Sequence, residues 1–320
     1  MNTPGFGINR FPKIEELLFT EKLRYIVKKV IRELGKPDIV HAHSCLWAGY
    51  SAIKVFNELE IPVVITEHST EFPKNELYGY RQLCVEDCIN KSQGMITVSN
   101  GLKQCMSKYN YNNKAITVIP NMFSNDLFSN QDNIKKDDKF KFIAVCYLTR
   151  KKGLDILIKS FAKSFKGNYD VELLIGGQGQ EYNNLVNLAK EINIYSQVKF
   201  LGDLSRENVV KYIKESDVFV LPSRFETFGV VFIEALALGK PIIASRCGGP
   251  EDIVKQGNGL LVEVEDIDGL SKAMQHMYNE YEKYNHKDII KDCNERFSEN
   301  AVMMQLENYY LETIKNYNNK

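Results

Sequence analysis

Two glutamates in the second half of the chain have a spacing that suits binding of the hydroxyl groups of one elongated ligand. Glu226 follows an apolar run that ends at Pro222, and Glu234 comes after seven intervening residues, inside a helical pattern. The helix is expected to begin near Phe228 and Gly229, where unpaired backbone N–H groups form a site for an anion. Alone, the pair is equally compatible with an ordinary exposed helix position for Glu234.

Positive charge and glycine-rich loops stand beside these glutamates. Lys152 and Gly153 follow an apolar run over 142–148, and glycine clusters at 176–179 and 248–249 follow two further runs. Glycine lets a ligand approach the backbone without a side chain in the way. A transfer that breaks a bond to phosphate needs positive charge on the leaving group, which lysine and a helix dipole can supply. The pattern therefore favours a binding site for a phosphorylated ligand.

Apolar runs of strand length alternate with helical patterns along most of the chain, which predicts an α/β fold with parallel sheets. The predicted strands cover residues 38–43, 61–66, 94–99, 115–120, 142–147, 171–175, 198–201, 218–222, 241–245 and 259–262. The predicted helices cover residues 46–59, 77–91, 101–109, 154–165, 181–192, 206–215, 230–238, 267–281 and 299–317. Ligands in such folds bind at the carboxyl ends of the strands.

A polar stretch over 124–141, rich in Asn and Asp, predicts a connection between two domains. We therefore expect a first domain over 1–128 and a second over 139–298, with the terminal helix 299–317 packing on the first domain.

Composition excludes several classes of function. Lys+Arg and Asp+Glu are both 41, so no global field attracts nucleic acid. The seven cysteines form no CxxC pair; Cys84 and Cys88, one helical turn apart, are interpreted as packed thiols rather than as a metal or redox site. Asp266 and Asp268 form the one Asp-x-Asp sequence and are interpreted as a helix cap.

The sequence has neither a membrane-spanning run nor a signal peptide, which indicates a cytoplasmic location.

Several segments of the second half occur in the order and spacing of a known family. They are FIAVCYLTRKKGLDILIKSF, ELLIGGQGQEYNNLVNLA, VKFLG, SDVFVLPSRFETFGVVFIEALALGKPIIAS, GGPEDIV and GNGLLV. In the first half, PDIVHAH, TEHST, VSNGLK and VIPN are similar to the same family. The chain thus resembles glycosyltransferase family 4. This resemblance implies the GT-B fold, two Rossmann-like domains that face a central cleft, and a retaining sugar transfer from a nucleotide-diphosphate sugar without a metal or other cofactor.

The resemblance also implies roles for individual residues. Glu234 is expected to hold the nucleotide ribose, Glu226 the donor sugar, and Lys152 the pyrophosphate. His68 matches a histidine over the donor sugar, and His43 matches a second position, on the acceptor side of the cleft; alone, either histidine is more often packed or solvated. We expect catalytic roles for His68 and Glu226. The donor-binding set comprises Lys152, Glu234, Thr227, Phe228, Gly229, Gly177 and Arg150.

The sequence departs from the family at two places. Cys146, Tyr147 and Leu148 stand where the family has Gly-Arg-Leu, so one cation is absent, and Arg150 and Lys151 are hypothesised to replace it. The first domain also lacks the strand and glycine-rich loop that open it in the family, which predicts an incomplete and less stable domain.

The leading hypothesis is an active transferase that acts on a glycan or lipid-linked acceptor in the synthesis of a cell-surface polysaccharide. The alternative is a truncated, weakly active or inactive remnant that binds nucleotide sugar; an epimerase of the same architecture is a weaker third. The chain has no G-x-G-x-x-G typical of dinucleotide oxidoreductases. A basic, amphipathic helix over 21–34 favours packing on its own domain over contact with the inner face of a membrane.

Overall fold

The computed structural model describes residues 12–72, 77–124 and 138–319. The chain divides into two compact units: unit 1 comprises Met1–Pro120 and Met303–Lys320, and unit 2 comprises Asn121–Val302. Most of the predicted connection over 124–141 lies outside the described residues, as do residues 1–11.

Unit 1 contains a four-stranded parallel sheet in the order β1-β2-β3-β4. Its strands are β1 (Val40–His43), β2 (Val63–Glu67), β3 (Gly94–Thr97) and β4 (Thr117–Val118). The helices in the first part of the chain are α1 (Pro12–Leu34), α2 (Tyr50–Asn57), α3 (Gly79–Lys91) and α4 (Asn100–Ser107). All four predicted strands are present, and their parallel direction brings the segments after His43 and Glu67 to one edge of the sheet.

Helix α1 packs on its own domain, as predicted, through contacts with α2 and α3. Only part of its apolar face takes part: Val27 is buried, whereas Ile26, Val30 and Leu34 are exposed, Leu34 to 83%.

A polar cluster adds to this apolar contact. Glu16 is 2% exposed, and its carboxylate accepts hydrogen bonds from Thr20 (2.6 Å), Tyr80 (2.9 Å) and Lys54 (3.1 Å). The Ser51 hydroxyl in α2 lies 2.7 Å from that of Thr20 and can donate to it. The partners come from three helices, so one buried carboxylate ties α1 to α2 and α3. A buried charge is tolerated when it is paired and hydrogen-bonded in this way.

Unit 2 contains a six-stranded parallel sheet in the order β10-β9-β8-β5-β6-β7. Its strands are β5 (Phe140–Val145), β6 (Val171–Gly176), β7 (Val198–Gly202), β8 (Val218–Leu221), β9 (Ile242–Ser245) and β10 (Gly259–Val262). Its helices are α5 (Leu154–Phe165), α6 (Tyr182–Glu191), α7 (Arg206–Glu215), α8 (Val230–Ala237), α9 (Ile267–Asn279) and α10 (His286–Phe297). The central strands are buried on both faces, as their uninterrupted apolar sequences predict.

Two helices differ from the sequence prediction. Helix α10 was not predicted, because only Ile289, Cys293 and Phe297 form its buried stripe and the rest of its sequence is polar. The predicted helix over 46–59 instead begins with a kinked segment, Cys45–Gly49, in which Leu46 has non-helical backbone angles (φ −103°, ψ 122°), and the regular α-helix starts only at Tyr50.

The last helix, α11 (Glu299–Asn318), returns to unit 1. The Tyr309 hydroxyl donates to the carbonyl of Met95 in β3 at 3.4 Å, and the Tyr310 hydroxyl lies 2.6 Å from Nδ1 of His41 in β1. Unit 1 is therefore built from both ends of the described sequence.

Within the described ranges, no helix combines the length and apolar character needed to cross a membrane.

Candidate functional site

Lys152 and Glu226 meet at the carboxyl edge of the unit 2 sheet. Lys152 ends a short 3-10 helix after β5, and Glu226 lies in the loop after β8, the strand that pairs with β5. The Lys152 ammonium forms an ion pair with the Glu226 carboxylate, and both side chains are largely shielded from solvent. The structure thus brings together two residues that lie 74 positions apart.

Two neighbours fix the position of this pair. Ser223 donates its hydroxyl to Glu226 at 3.1 Å, and Ser223 is itself fully buried. Gly153, directly after Lys152, has φ 66° and lies so close to the carbonyl of Pro222 that a Cβ would collide with it. Close contact between the loops after β5 and β8 therefore depends on glycine.

Glu234 forms a second ion pair, with Arg206. Glu234 is 4% exposed in α8, and Arg206 is the first residue of α7, after β7. Arg206 was not predicted to be a site residue, although a cation at the first helical position after a strand was a usable signal. Both glutamates are therefore buried, and each is matched with one cation from another loop.

The start of α8 is shaped by glycine and by a buried aromatic ring. Gly229 precedes the helix with φ 96°, and Phe228 is buried against Phe297 with ring centroids 5.9 Å apart. Gly249 lies against the backbone of Phe228, where no side chain would fit. Thr227 lies between Glu226 and this start. The N–H groups that open α8 are thus held beside the Lys152–Glu226 pair.

The remaining predicted donor-binding residues lie at the same edge. Gly177 follows β6 with φ 125° and contacts the carbonyl of Cys146, so a side chain is excluded there. Arg150 and Tyr147 follow β5 and are exposed. Lys151 lies over the ring of Phe225 at 5.3 Å.

Two thiols next to the ion pairs are neutral. Burial raises the pKa of Cys146 to about 12, with a smaller opposing effect from Lys152. Burial also raises the pKa of Cys247 to about 12. A protonated thiol is a poor nucleophile, so neither cysteine is suited to covalent catalysis near neutral pH.

Across residues 12–72, 77–124 and 138–319, no group of three or more His, Cys, Asp or Glu side chains could hold a metal ion. Asp266 accepts a hydrogen bond from the backbone of Gly269 at 2.8 Å and caps α9, which confirms the capping interpretation of the Asp-x-Asp sequence.

Three histidines lie together at the carboxyl edge of the unit 1 sheet. Nδ1 of His43, at the end of β1, lies 3.0 Å from Nε2 of His68, which follows β2, and the two rings stack with centroids 5.3 Å apart. His41 stacks beside His43 at 4.4 Å. The two predicted histidines thus contact each other, and the third was missed.

His41 is a structural member of this cluster. Its Nε2 lies 2.7 Å from the hydroxyl of Thr66, and its Nδ1 lies 2.6 Å from that of Tyr310. Burial lowers the pKa of His41 to about 4, and electrostatic interaction with His43 and His68 acts in the same direction. His41 is therefore neutral near pH 7 and links β1 to α11.

Family models match both parts of the chain. The model described as glycosyl transferases group 1 matches residues 126–292, and the model described as glycosyltransferase family 4 matches residues 3–126. An uncharacterised glycosyltransferase of Haemophilus influenzae is 31% identical over 87% of this chain and 77% of its own length.

Solved glycosyltransferases share the fold. HepE of Anabaena in complex with UDP has a TM-score of 0.75 and 20% identity, covering 89% of this chain and 82% of its own. The lipopolysaccharide outer core galactosyltransferase WaaB has a TM-score of 0.70 and 23% identity, covering 94% of this chain and 80% of its own. The predicted α/β fold of GT-B type is confirmed.

Proposed function

The chain belongs to the glycosyl transferases group 1 family, and from this premise we propose that it is a retaining glycosyltransferase with a nucleotide-diphosphate sugar as donor. Unit 2 is the donor-binding domain and unit 1 the acceptor-side domain. We propose that the acceptor is a glycan or a lipid-linked glycan and that the product is part of a cell-surface polysaccharide.

The two matched ion pairs at one sheet edge carry this proposal. Lys152 neutralises the buried carboxylate of Glu226 in the loop after β8, and Arg206 neutralises that of Glu234 in α8. A sugar nucleotide presents anionic phosphates to the cations and hydroxyl groups to the carboxylates. Its arrival can therefore replace side-chain contacts with ligand contacts while the buried charges stay compensated.

The proposed transfer breaks the bond between the sugar C1 and the diphosphate oxygen. The leaving diphosphate takes the electron pair, the acceptor oxygen forms the new bond to C1, and the proton of the acceptor hydroxyl passes to an oxygen of the departing diphosphate. Negative charge therefore grows on the diphosphate, where Lys152 and the amides that open α8 at Phe228 and Gly229 stabilise it. Protein groups supply this stabilisation, and we propose that the reaction needs no metal.

The remaining site residues are assigned to parts of the same nucleotide sugar. We propose that Glu234 binds the ribose and Glu226 the donor sugar, while Thr227, Gly177 and Arg150 line the diphosphate. His68 serves the transfer step, and His43 lies on the acceptor side of it. The likeness in fold to HepE, solved with UDP, supports a nucleotide ligand, and the likeness to the lipopolysaccharide galactosyltransferase supports a glycolipid acceptor.

Ligand binding provides the first test. Thermal melting should be measured with UDP, GDP and ADP, and with their glucose, galactose, mannose and N-acetylglucosamine conjugates. One nucleotide series should raise the melting temperature of the protein, because a ligand that binds only the folded state stabilises it. NMR of the transfer product should then show the anomeric configuration of the donor retained. A protein that no nucleotide stabilises, or a product with inverted configuration, contradicts the proposal.

We also propose that α1 rests on the inner surface of an anionic membrane. Tyr25 (76%), Ile26 (55%) and Leu34 (83%) are exposed on a helix that also carries Lys28 and Lys29. In a co-sedimentation assay, the protein should be found in the pellet with phosphatidylglycerol vesicles but not with phosphatidylcholine vesicles. The I26S/L34S double variant should lose this binding to phosphatidylglycerol vesicles. Equal binding of the variant, or no binding of the wild type, argues against membrane contact.

The seven free cysteines suit a cytoplasmic location.

A further inference from the structure

Unit 1 contains a buried carboxylate that has no role in the proposed transfer. Glu67 ends β2, and the residue is 1% exposed. Its Oε2 accepts the backbone N–H of Cys45 at 2.8 Å. Its Oε1 accepts the backbone N–H groups of His68 at 2.8 Å and of Ser69 at 2.6 Å.

These three amides belong to two different loops. Cys45 follows β1, which ends at His43, whereas His68 and Ser69 follow β2. The strands are parallel neighbours, with His43 opposite Thr66. One carboxylate therefore fastens together the two chain segments that carry the contacting histidines.

The loop after β1 needs such a restraint. Ser44, directly after His43, has φ 73°, a left-handed conformation that a non-glycine residue adopts only when its surroundings impose it. The N–H of Ser44 donates to the carbonyl of Thr66 at 2.8 Å, and the next N–H along the chain, that of Cys45, donates to Glu67. Two consecutive amides are thus anchored on β2, and this fixes the direction in which the chain leaves His43.

The hydrogen-bond donors around Glu67 suit a carboxylate side chain and do not suit the carboxamide side chain of glutamine. All three partners are N–H donors, and a carboxylate offers acceptor oxygens on both sides. Glutamine has the same shape, but its NH2 group would face either the N–H of Cys45 or the N–H groups of His68 and Ser69. One of the two loops would then lose its anchor.

From this geometry we infer that Glu67 is a positioning residue, which holds His43 and His68 in register for sugar transfer. The inference rests on the proposed function, because it needs His68 in the transfer step. Glu67 touches no substrate and acts through the backbone of the two loops. Because a displacement of about 1 Å in a reacting group costs about 100-fold in rate, loss of either anchor should lower turnover without changing donor affinity.

A double-mutant cycle with Glu67→Gln and His68→Ala tests this role in the full-length protein. Glu67→Gln should lower kcat about 10- to 100-fold and leave the donor KM within about twofold. In the His68→Ala background, the same substitution should change kcat less than about threefold, because the two residues act as a unit. An equal loss in both backgrounds, or full turnover of a folded Glu67→Gln protein, would overturn the inference.

Two further measurements separate positioning from general destabilisation. Glu172→Gln removes another buried carboxylate, 3% exposed in β6 of unit 2, and should keep kcat within about twofold. If Glu67→Gln does not fold, Glu67→Asp replaces it in the cycle; it keeps the charge but is too short to reach both loops, so an intermediate loss that disappears with His68→Ala is expected.

Histidine side-chain NMR tests whether Glu67 sets the positions of His43 and His68, and it requires no substrate. With ¹⁵N-labelled histidine, Glu67→Gln should shift the ring signals of His43 and His68 and leave that of His286 in unit 2 unchanged. If the wild type transfers no sugar but these shifts appear, the proposed function fails and the structural role of Glu67 survives. Unshifted signals contradict the role itself.

Discussion

The carboxyl edges of the two sheets hold their buried carboxylates in different ways. In unit 2, Glu226 and Glu234 are held by the long side chains of Lys152 and Arg206. In unit 1, Glu67 is held by three backbone amides, and the histidines beside it stack on one another. A lysine or arginine side chain can leave a carboxylate for a phosphate by rotating, whereas a backbone amide cannot move unless the loop that carries it also moves. The ion pairs at the unit 2 edge are therefore suited to be replaced by contacts with a ligand. The hydrogen bonds at the unit 1 edge are suited to remain unchanged when a ligand binds.

The largest effect that would test this difference is on turnover. Lys152→Ala should lower kcat by about 10²–10³, because the cation on the leaving diphosphate is lost and Glu226 is left without its partner. Steady-state kinetics with the donor found by thermal melting measures this. Lys159→Ala, which removes an exposed lysine from α5, is the matched control and should remain near wild type. Near-normal turnover of Lys152→Ala would mean that Arg150 or Lys151 carries the charge instead.

A smaller effect is expected on nucleotide affinity. Glu234→Gln should raise the donor KM about 10- to 100-fold, since a hydrogen bond to a charged group contributes about 1.5–3 kcal/mol. Arg206→Gln should raise it less, because the Arg206 side chain is 44% exposed and solvent screens the pair. Calorimetry with the nucleoside diphosphate and its 2′-deoxy analogue should show that Glu234→Gln loses the preference for ribose. A preserved preference would place the ribose elsewhere.

The polar cluster of α1 provides a prediction on stability that leaves the active edges untouched. Glu16→Gln should lower the free energy of unfolding of unit 1 by about 2 kcal/mol at pH 7. Burial alone would raise the pKa of Glu16, but hydrogen bonds from Thr20, Lys54 and Tyr80 outweigh it, so the pKa lies below its ordinary value of 4.5. A lowered pKa in the folded state stabilises the protein above pH 4.5, and this stabilisation is lost as the pH falls through the folded value.

Thermal melts from pH 7 to pH 3 measure the prediction. The difference in melting temperature between wild type and Glu16→Gln should be constant above about pH 5.5 and should shrink below pH 4.5. Glu172, whose pKa is also lowered because Lys139 and Lys199 outweigh its burial, should give the same window in unit 2. A difference that grows on acidification would contradict the assigned direction.

The smallest expected effect is that of metal removal. Because protein groups stabilise the diphosphate in the proposed reaction, the initial rate should not change in excess EDTA. A rate that falls with EDTA and returns with Mg²⁺ or Mn²⁺ would show that the unit 2 edge is completed by a metal ion.

The sequence predicts elements better than it predicts contacts between them. Each strand of unit 2 is a short apolar run ended by glycine, proline or a polar residue, so the periodicity locates it within about two residues. Helix α10 was missed because its buried stripe has one residue per turn, Ile289, Cys293 and Phe297, in a polar sequence. The apolar pattern of α1 predicted that the helix packs on its domain, but it did not reveal that Glu16, a buried charged residue, anchors the helix.

Side-chain partners at the two edges were least accessible from sequence. Lys152 and Glu226 were expected to share one ligand, and the structure pairs them directly. Arg206 is 28 positions from Glu234 and follows β7, which β5 and β6 separate from β8, so neither local sequence nor strand pairing reports the contact. The role of Glu67 depends on which two loops become neighbours, and no local pattern reports that.

The terminal helix has a consequence for biosynthesis. Unit 1 includes residues Met303–Lys320, with Tyr310 hydrogen-bonded to His41. The ribosome therefore makes unit 2, up to Val302, before it makes the part of α11 that unit 1 requires. Since domains fold as their residues emerge, unit 2 can begin to fold on the nascent chain, while unit 1 stays incomplete until Met303–Lys320 has followed.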